Sequence, residues 1–422
     1  MDELKERAIW LDQMDSLASY RREFYIHDQV IYLDGNSLGL LSKRAETAVW
    51  DVMEMWKAYG IDGWNEGKHP WFYLSEKLGS MMAPIIGAKS EEVIVTGSTT
   101  INLHQLLSTF YQPTPGKNKI LADELNFPSD LYAISSHLQL RGYSENNRIL
   151  VKSNDGLTID EEEMISQMAD DVALVVLPSV LYRSGQLLNM QKLTEAAHQR
   201  GILIGFDLAH SIGAVPHSLS EWNVDFAFWC NYKYLNGGPG AVAGLYINER
   251  HFDRNPGLVG WFSSNKERQF DLATTMNKGD GAGAYQVGTP HVLSVAPLIG
   301  SLSMYEEIGI ERIREKSLKQ TQLFIDLVNE KLLHYGFSFG NLLEDDKRGG
   351  HISLIHQDAL RIAKALKSHR VIPDFRPPHL IRMAPSPLYT SYEDIWTAVS
   401  RLQTIMVTKG YETFSSVREV IS

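Results

Sequence analysis

From about residue 90 to residue 250 the sequence repeats one beat: a short apolar run, a turn of glycine or polar residues, then a stretch with apolar residues at helical spacing. Val93–Thr96 is rich in β-branched residues and ends at Gly97-Ser98, after which Ile101, Leu103, Leu106, Leu107 and Phe110 recur as on a helix. The beat returns at Lys119–Ala122 with Ser129–Leu140, at Arg148–Val151 with Glu161–Met168, at Ala173–Leu177 with Gln191–Arg200, and at Ile202–Phe206. Phe226–Trp229 and Ala241–Ile247 extend the series across the turn Asn236-Gly237-Gly238-Pro239-Gly240. Strands that alternate with helices must be joined by right-handed crossovers, so the fold class is α/β, with a mostly parallel sheet covered on both faces.

After the Gly- and Asn-rich stretch Asn277–Gly288 the pattern changes to a long helical region over Val292–Leu332. A smaller α+β unit follows, with strands expected at Ser338–Phe339, His351–Leu354 and Leu380–Ala384 and helices at Asp358–Lys367 and Tyr392–Lys409. The expected organisation is an N-terminal segment (1–60) packed on the small domain, a large α/β domain (61–300) and a small C-terminal α+β domain (301–422). No repeat of solenoid length and no low-complexity segment interrupts it.

Lys plus Arg number 40 against 51 Asp plus Glu, a formal charge of −11, which disfavours sequence-independent nucleic-acid binding. No apolar run reaches the length of a membrane span. The single cysteine, Cys230, leaves no intrachain disulfide and no cysteine-built metal site, and no metal is expected. The acidic start MDELKERAIWLDQMDSL lacks the apolar core of a secretory signal and the arginine-rich character of a transit peptide, so the expected location is cytoplasmic.

A sheet of this kind presents ligands at the carboxyl ends of its strands, so the polar residues that follow each apolar run carry the chemistry. Gly97-Ser98-Thr99-Thr100 opens a helix with hydroxyls and free N–H groups, which suits a phosphate and equally suits an N-cap. Asn126-Phe127-Pro128-Ser129-Asp130 offers an aromatic face, a proline-set helix start and an acid. Asp207, within Phe206-Asp207-Leu208-Ala209-His210, ends a buried run and needs a cation or donors, for which a protonated heterocyclic nitrogen or a helix cap would serve. Lys233 follows 26 residues later, behind the apolar run Phe226–Cys230 and between Tyr232 and Tyr234. A lysine sheltered among aromatics loses its charge more readily and can form a Schiff base. Phosphate seat, aromatic platform, buried acid and sheltered lysine, in chain order, are what pyridoxal 5'-phosphate requires.

Tyr32-Leu33-Asp34-Gly35-Asn36-Ser37-Leu38-Gly39, Phe127-Pro128-Ser129-Asp130, Asp207-Leu208-Ala209-His210, Tyr232–Gly240, Ile381-Arg382 and Pro387-Leu388-Tyr389 occur in this order over residues 32 to 389. In these stretches the chain resembles the kynureninase family of fold-type-I pyridoxal-phosphate enzymes, relatives of the class V aminotransferases. The resemblance implies a seven-stranded-type sheet of the aspartate aminotransferase fold. It also implies hydrolysis of L-kynurenine and its 3-hydroxy form to an anthranilate and L-alanine, as in tryptophan catabolism and NAD biosynthesis. Lys233 would then carry the cofactor and move a proton, Asp207 would pair with the pyridine nitrogen beside His210, and Tyr232 would bind phosphate, with Tyr232 and water both candidates for the acid/base at the aryl ketone. Thr99 and Thr100 would bind phosphate, Phe127 would stack on the ring next to Pro128 and Ser129, and Asp130 would face the 3′ oxygen. Ser179 aligns with a further cofactor contact. Trp261 and Thr289 would reach the phosphate across the interface of a homodimer with shared active sites. Arg382 would clamp the α-carboxylate of the amino acid substrate, with Ser37 and Trp64 also on the substrate side. Two other readings stay open from the residues alone. One is an aminotransferase or a desulfurase with Cys230 as its thiol; the other is a non-catalytic relative.

Overall fold

The computed structural model describes residues 2–418. The chain opens with α1 (Glu3–Gln13), β1 (Ile31–Tyr32), α2 (Lys43–Tyr59) and α3 (Leu74–Met82). The alternating region then follows as β2 (Val93–Val95), α4 (Thr99–Phe110), β3 (Lys119–Asp123), α5 (Pro128–Leu140), β4 (Arg148–Val151), α6 (Glu161–Ser166), β5 (Val172–Pro178), α7 (Met190–His198), β6 (Leu203–Asp207), β7 (Phe226–Trp229) and β8 (Gly244–Ile247). These strands form one seven-stranded sheet in the order β2-β8-β7-β6-β5-β3-β4. All its pairings are parallel except those of β8, which runs antiparallel to both neighbours.

Side chains that alternate along these strands fill two separate cores, as the two-residue strand period requires. Val175, Leu177, Ile204, Phe206 and Trp229 pack on one face, and Leu174, Val176, Phe226 and Phe228 on the other. Burying both faces explains the unbroken apolar runs, since neither face can be polar. Gly205 is a packing requirement: a Cβ there would sit 1.9 Å from the Phe226 ring.

Past the sheet come α8 (Val292–Ile308) and α9 (Ile310–Lys331). The expected single helical region is broken at Gly309, whose φ of 82° lies outside the helical range and lets the chain turn between them. The C-terminal unit contains β9 (Ser338–Phe339), β10 (Ile352–Ile355), α10 (Ala359–Ser368), β11 (Val371–Ile372), β12 (Asp374–Arg376), β13 (Leu380–Met383) and α11 (Tyr392–Val407). Its antiparallel sheet has the order β12-β13-β10-β9. The strand expected from Ala241 starts only at Gly244, because Ala243 instead bonds the backbone of Thr96 and Gly97.

The N-terminal residues serve both units. Ala8 of α1 and Ile31 and Leu33 are buried in the C-terminal core, and β1 pairs in parallel with β11. The helix α2 lies instead along α8, whose Leu298, Leu302 and Met304 belong to the large core. The loop after β1 runs between the two units. Gly39 donates its N–H to the Tyr232 carbonyl at 2.7 Å, and a Cβ on Gly39 would fall 2.4 Å from the Lys233 carbonyl. A glycine is therefore what allows the residue 34–39 loop to close on the lysine loop. Among the described residues no helix is long and apolar enough to cross a membrane.

Candidate active site

The carboxyl ends of β3, β6 and β7 and the start of α4 surround a cavity of about 190 Å³. Ser37, Thr99, Thr100, Phe127, Ser129 and Asp130 stand in its wall together with Asp207, His210, Tyr232 and Lys233. The sheet's topology is what brings these distant positions together, because parallel strands deliver all their following loops to one edge.

Two helix starts meet there. Ser98, at the N-cap of α4, and Phe127, at that of α5, make no capping bond with their side chains. The hydroxyls of Thr100 and Ser129 lie 2.7 Å apart, which ties the two starts to each other. Unsatisfied N–H groups and positive dipole ends thus converge beside hydroxyl donors, an arrangement that fits a phosphate. The N-cap alternative for the Ser98–Thr100 hydroxyls is not what the structure holds at this helix.

At the other end of the cavity Lys233 Nζ lies 2.9 Å from His210 Nε2. Burial, and then the Lys233 charge, hold His210 well below the usual histidine range, so its neutral ring accepts from the lysine. Asp207 Oδ1 accepts from the Ala209 N–H at 2.8 Å, and burial pushes this carboxyl up to about 6, against the opposing pull of Lys233. Asp130 is raised well above the ordinary range by burial and by Asp207, and its Oδ2 is buried with no partner. A protonated aromatic nitrogen between such groups would supply the positive charge they lack. The Phe127 ring is 44% exposed and meets Tyr182 edge-on at 5.3 Å, which leaves aromatic surface free for a stacked ring. The residues present therefore fit pyridoxal phosphate.

Other expected site residues lie elsewhere. Ser179 does not line the cavity; its hydroxyl lies 2.7 Å from that of Ser211 and donates to the Asp207 carbonyl at 3.0 Å, so it braces the Asp207 backbone. Pro128 starts α5 behind the wall. Thr289 lines a second cavity of about 390 Å³, separated from the first by Tyr232, and also an apolar groove that contains Trp64, Trp71 and Leu293. Trp261 is half-exposed and packs edge-on to Phe270 at 5.8 Å. Arg382 is fully buried behind the cavity, paired with Asp374 and donating to Ser37 Oγ at 3.2 Å.

Comparison with known proteins agrees with this geometry. A family model described as Aminotransferase class-V matches residues 31–351, and one described as Kynureninase C-terminal domain matches residues 313–402. The kynureninase of Geobacillus thermodenitrificans (strain NG80-2) is 60% identical over 418 residues, spanning 99% of this chain and 98% of its own. The chain belongs to the kynureninase family. The kynureninase of Bacillus anthracis is 58% identical, also across 99% of this chain and 98% of its own length. A solved C-DES mutant with glycine covalently linked to its PLP cofactor superposes with a TM-score of 0.78 at 17% identity, over 91% of this chain and 98% of that one, which is a likeness of fold. Membership makes this a pyridoxal-phosphate enzyme with the class V aminotransferase fold.

The cavity also contains Asn36, Tyr182 and Arg376, to which sequence reasoning gave no role, and Cys230, the thiol of the desulfurase alternative. Asn36 stood inside a quoted motif. Arg376 carries a period-two signal, because Asp374 and Arg376 share one face of β12 and Asp374 pairs across to Arg382 on β13. That signal becomes readable only once the strand pairing is known. Cys230 is nearly inaccessible and burial pushes its thiol up, the opposite of what a nucleophilic cysteine needs.

Proposed function

We propose that this cavity hydrolyses L-kynurenine to anthranilate and L-alanine, with 3-hydroxy-L-kynurenine as a second substrate, in tryptophan catabolism. The observation that carries the assignment is the joining of Lys233, Asp207, Phe127 and two open helix starts in one cavity of a chain 60% identical to a kynureninase. Pyridoxal phosphate, when bound, supplies the electron sink for breaking first the α-C–H bond and then the Cβ–Cγ bond.

The chain's own residues do the rest. Lys233 would be the attachment point for the cofactor and its free amine the base for the α-proton, with His210 as the neutral acceptor that positions it. Asp207 would pair with a positively charged ring nitrogen. Thr99 and Thr100 would hold the phosphate, and Phe127 would stack on the ring. Tyr232 lies in the wall between the two cavities, and burial raises its hydroxyl above the ordinary phenol range, which keeps it a proton donor near the aryl ketone while water adds there. The α-carboxylate faces the Ser37, Arg376 and Arg382 side. The inaccessible, raised Cys230 thiol argues against desulfurase chemistry at this site.

The active unit is proposed to be a homodimer in the cytoplasm. Trp50, Trp56, Ile61 and Leu293 leave apolar surface exposed around the groove of Trp64 and Thr289, and a second copy would cover it. Incubation of the pyridoxal-phosphate-loaded protein with L-kynurenine tests the function. Release of anthranilate, read by its fluorescence, with alanine in equal amount, is the expected result; no anthranilate refutes the reading.

A further inference from the structure

The turn over residues 207–212 carries two of the site's side chains, Asp207 and His210, and a line of buried polar groups ends on its first carbonyl. Ser179 Oγ lies 3.0 Å from the Asp207 carbonyl, Ser211 Oγ lies 2.7 Å from Ser179 Oγ, and His217 Nε2 lies 2.9 Å from Ser211 Oγ. Ser179 and Ser211 are fully buried, and His217 is nearly so, edge-on to the Trp222 ring. None of the three stands in the cavity wall.

Proton counting gives the line a direction. A carbonyl oxygen only accepts, so the single Ser179 hydroxyl proton goes to Asp207. Two hydroxyl oxygens 2.7 Å apart need a proton between them, and it must then be that of Ser211, whose other acceptor, the Leu208 carbonyl, is farther off at 3.3 Å. With that proton spent, Ser211 accepts from His217, which therefore carries its proton on Nε2. Burial, and then Arg314, push the His217 ring down to about 3, so it is neutral and has one N–H to give. The Asp207 carbonyl also accepts the Ser179 N–H at 2.8 Å. Both its lone pairs are thus filled, one of them through the line, in which each donor polarises the next.

We propose that His217 is a positioning residue for Asp207, acting through Ser211 and Ser179 to hold the carboxylate where it meets the cofactor's ring nitrogen. This rests on the ring-nitrogen role of Asp207 given above. Without the Nε2 donor the Ser211 and Ser179 protons are free to reverse, and the Asp207 carbonyl loses its second donor. A double-mutant cycle on the full chain tests the path, with pyridoxal phosphate dissociation constants taken from absorbance titration of the cofactor-free proteins. His217→Leu, which fills space but donates nothing, should weaken binding by about three- to tenfold, the loss expected for one buried hydrogen bond. Ser179→Ala should weaken it by a similar factor, and the two substitutions together by no more than either alone. His217→Gln, which offers an amide N–H in place of Nε2–H, should restore most of the affinity.

Should His217→Leu fail to fold, Ser211→Ala interrupts the same line at its middle and takes its place in the cycle. Losses that multiply in the double variant, or a His217→Gln protein that binds as weakly as His217→Leu, overturn the proposal, because His217 would then act by packing alone. Unchanged affinity in His217→Leu overturns it as well. Asp207→Asn, titrated alongside, separates the two readings. If it binds the cofactor as tightly as the wild-type protein, the ring-nitrogen role fails and the proposal falls with it. If it binds weakly while His217→Leu does not, that role stands and only the part played by His217 is removed.

Discussion

Asp207→Asn should make the cofactor-free protein more stable and the cofactor much weaker. The carboxylate sits at the end of a buried strand with one backbone donor, and burial raises it from 3.8 to about 6. At ~1.4 kcal/mol per unit, that shift corresponds to ~3 kcal/mol of disfavoured charge. The sign follows from proton counting. Between pH 3.8 and about 6 the folded chain keeps a proton that the unfolded chain has released, so stability falls as pH rises across this window and the full loss is present at pH 7. Asparagine carries no charge, still accepts from Ala209, and removes the penalty. The same charge is what a protonated ring nitrogen pairs with, so the variant should bind pyridoxal phosphate about 100-fold more weakly and lose most turnover. Urea midpoints of the cofactor-free proteins at pH 5 and pH 7, together with absorbance titrations with the cofactor, measure both effects. The stability gain should be larger at pH 7 than at pH 5. Equal cofactor affinity in the two proteins would refute the reasoning and move the ring-nitrogen role to Asp130.

At the opposite end of the sheet, Asp225 is fully buried and accepts from the Ile204 N–H at 2.8 Å while pairing with His198, Arg250 and His251. These partners hold its carboxyl below the usual range despite burial, so its contribution is present above the unfolded-state pKa and lost as pH falls below it. Asp225→Ala should cost ~3–5 kcal/mol in chemical denaturation at pH 7 while the affinity of the folded protein for cofactor stays unchanged. For the dimer, sedimentation should show two copies at the concentrations where the enzyme turns over, and a fully active monomer would remove the shared-site role of Trp261 and Thr289.

The large sheet was legible because its strands are buried on both faces. Val172–Pro178 and Leu203–Asp207 can hardly be read as anything else once their neighbours alternate with helices. The N-terminal helices and the short strands were not. Only Ala8 of α1 is buried, and Trp10 points to solvent, so the helix shows no apolar stripe to find. β1, β11 and β12 are two or three residues long and owe their existence to tertiary pairing. Gly309 looked like one residue in a continuous helical pattern, and only its φ marks the break.

The site divides in the same way. Residues at or shortly past a strand's carboxyl end, such as Asp207 and Lys233, were readable because a parallel sheet sends all of them to one edge. Ser179 follows a strand too, yet its side chain turns into the Asp207–Ser211 contacts, a choice no spacing reveals. Asn36 comes into the cavity through the closure of the loop at Gly39 on Tyr232, a contact between distant parts of the chain, and Arg376 through the short β12–β13 pairing of the C-terminal unit, so neither position is marked by its own local sequence.

The central claim is that Lys233 is the cofactor's point of attachment in this cavity. Borohydride reduction of the loaded protein, followed by proteolysis and peptide mapping, tests it most directly. The account predicts the cofactor fixed to the peptide that contains Lys233, and no label in Lys233→Ala. A label fixed to any other lysine in the wild-type protein would contradict it.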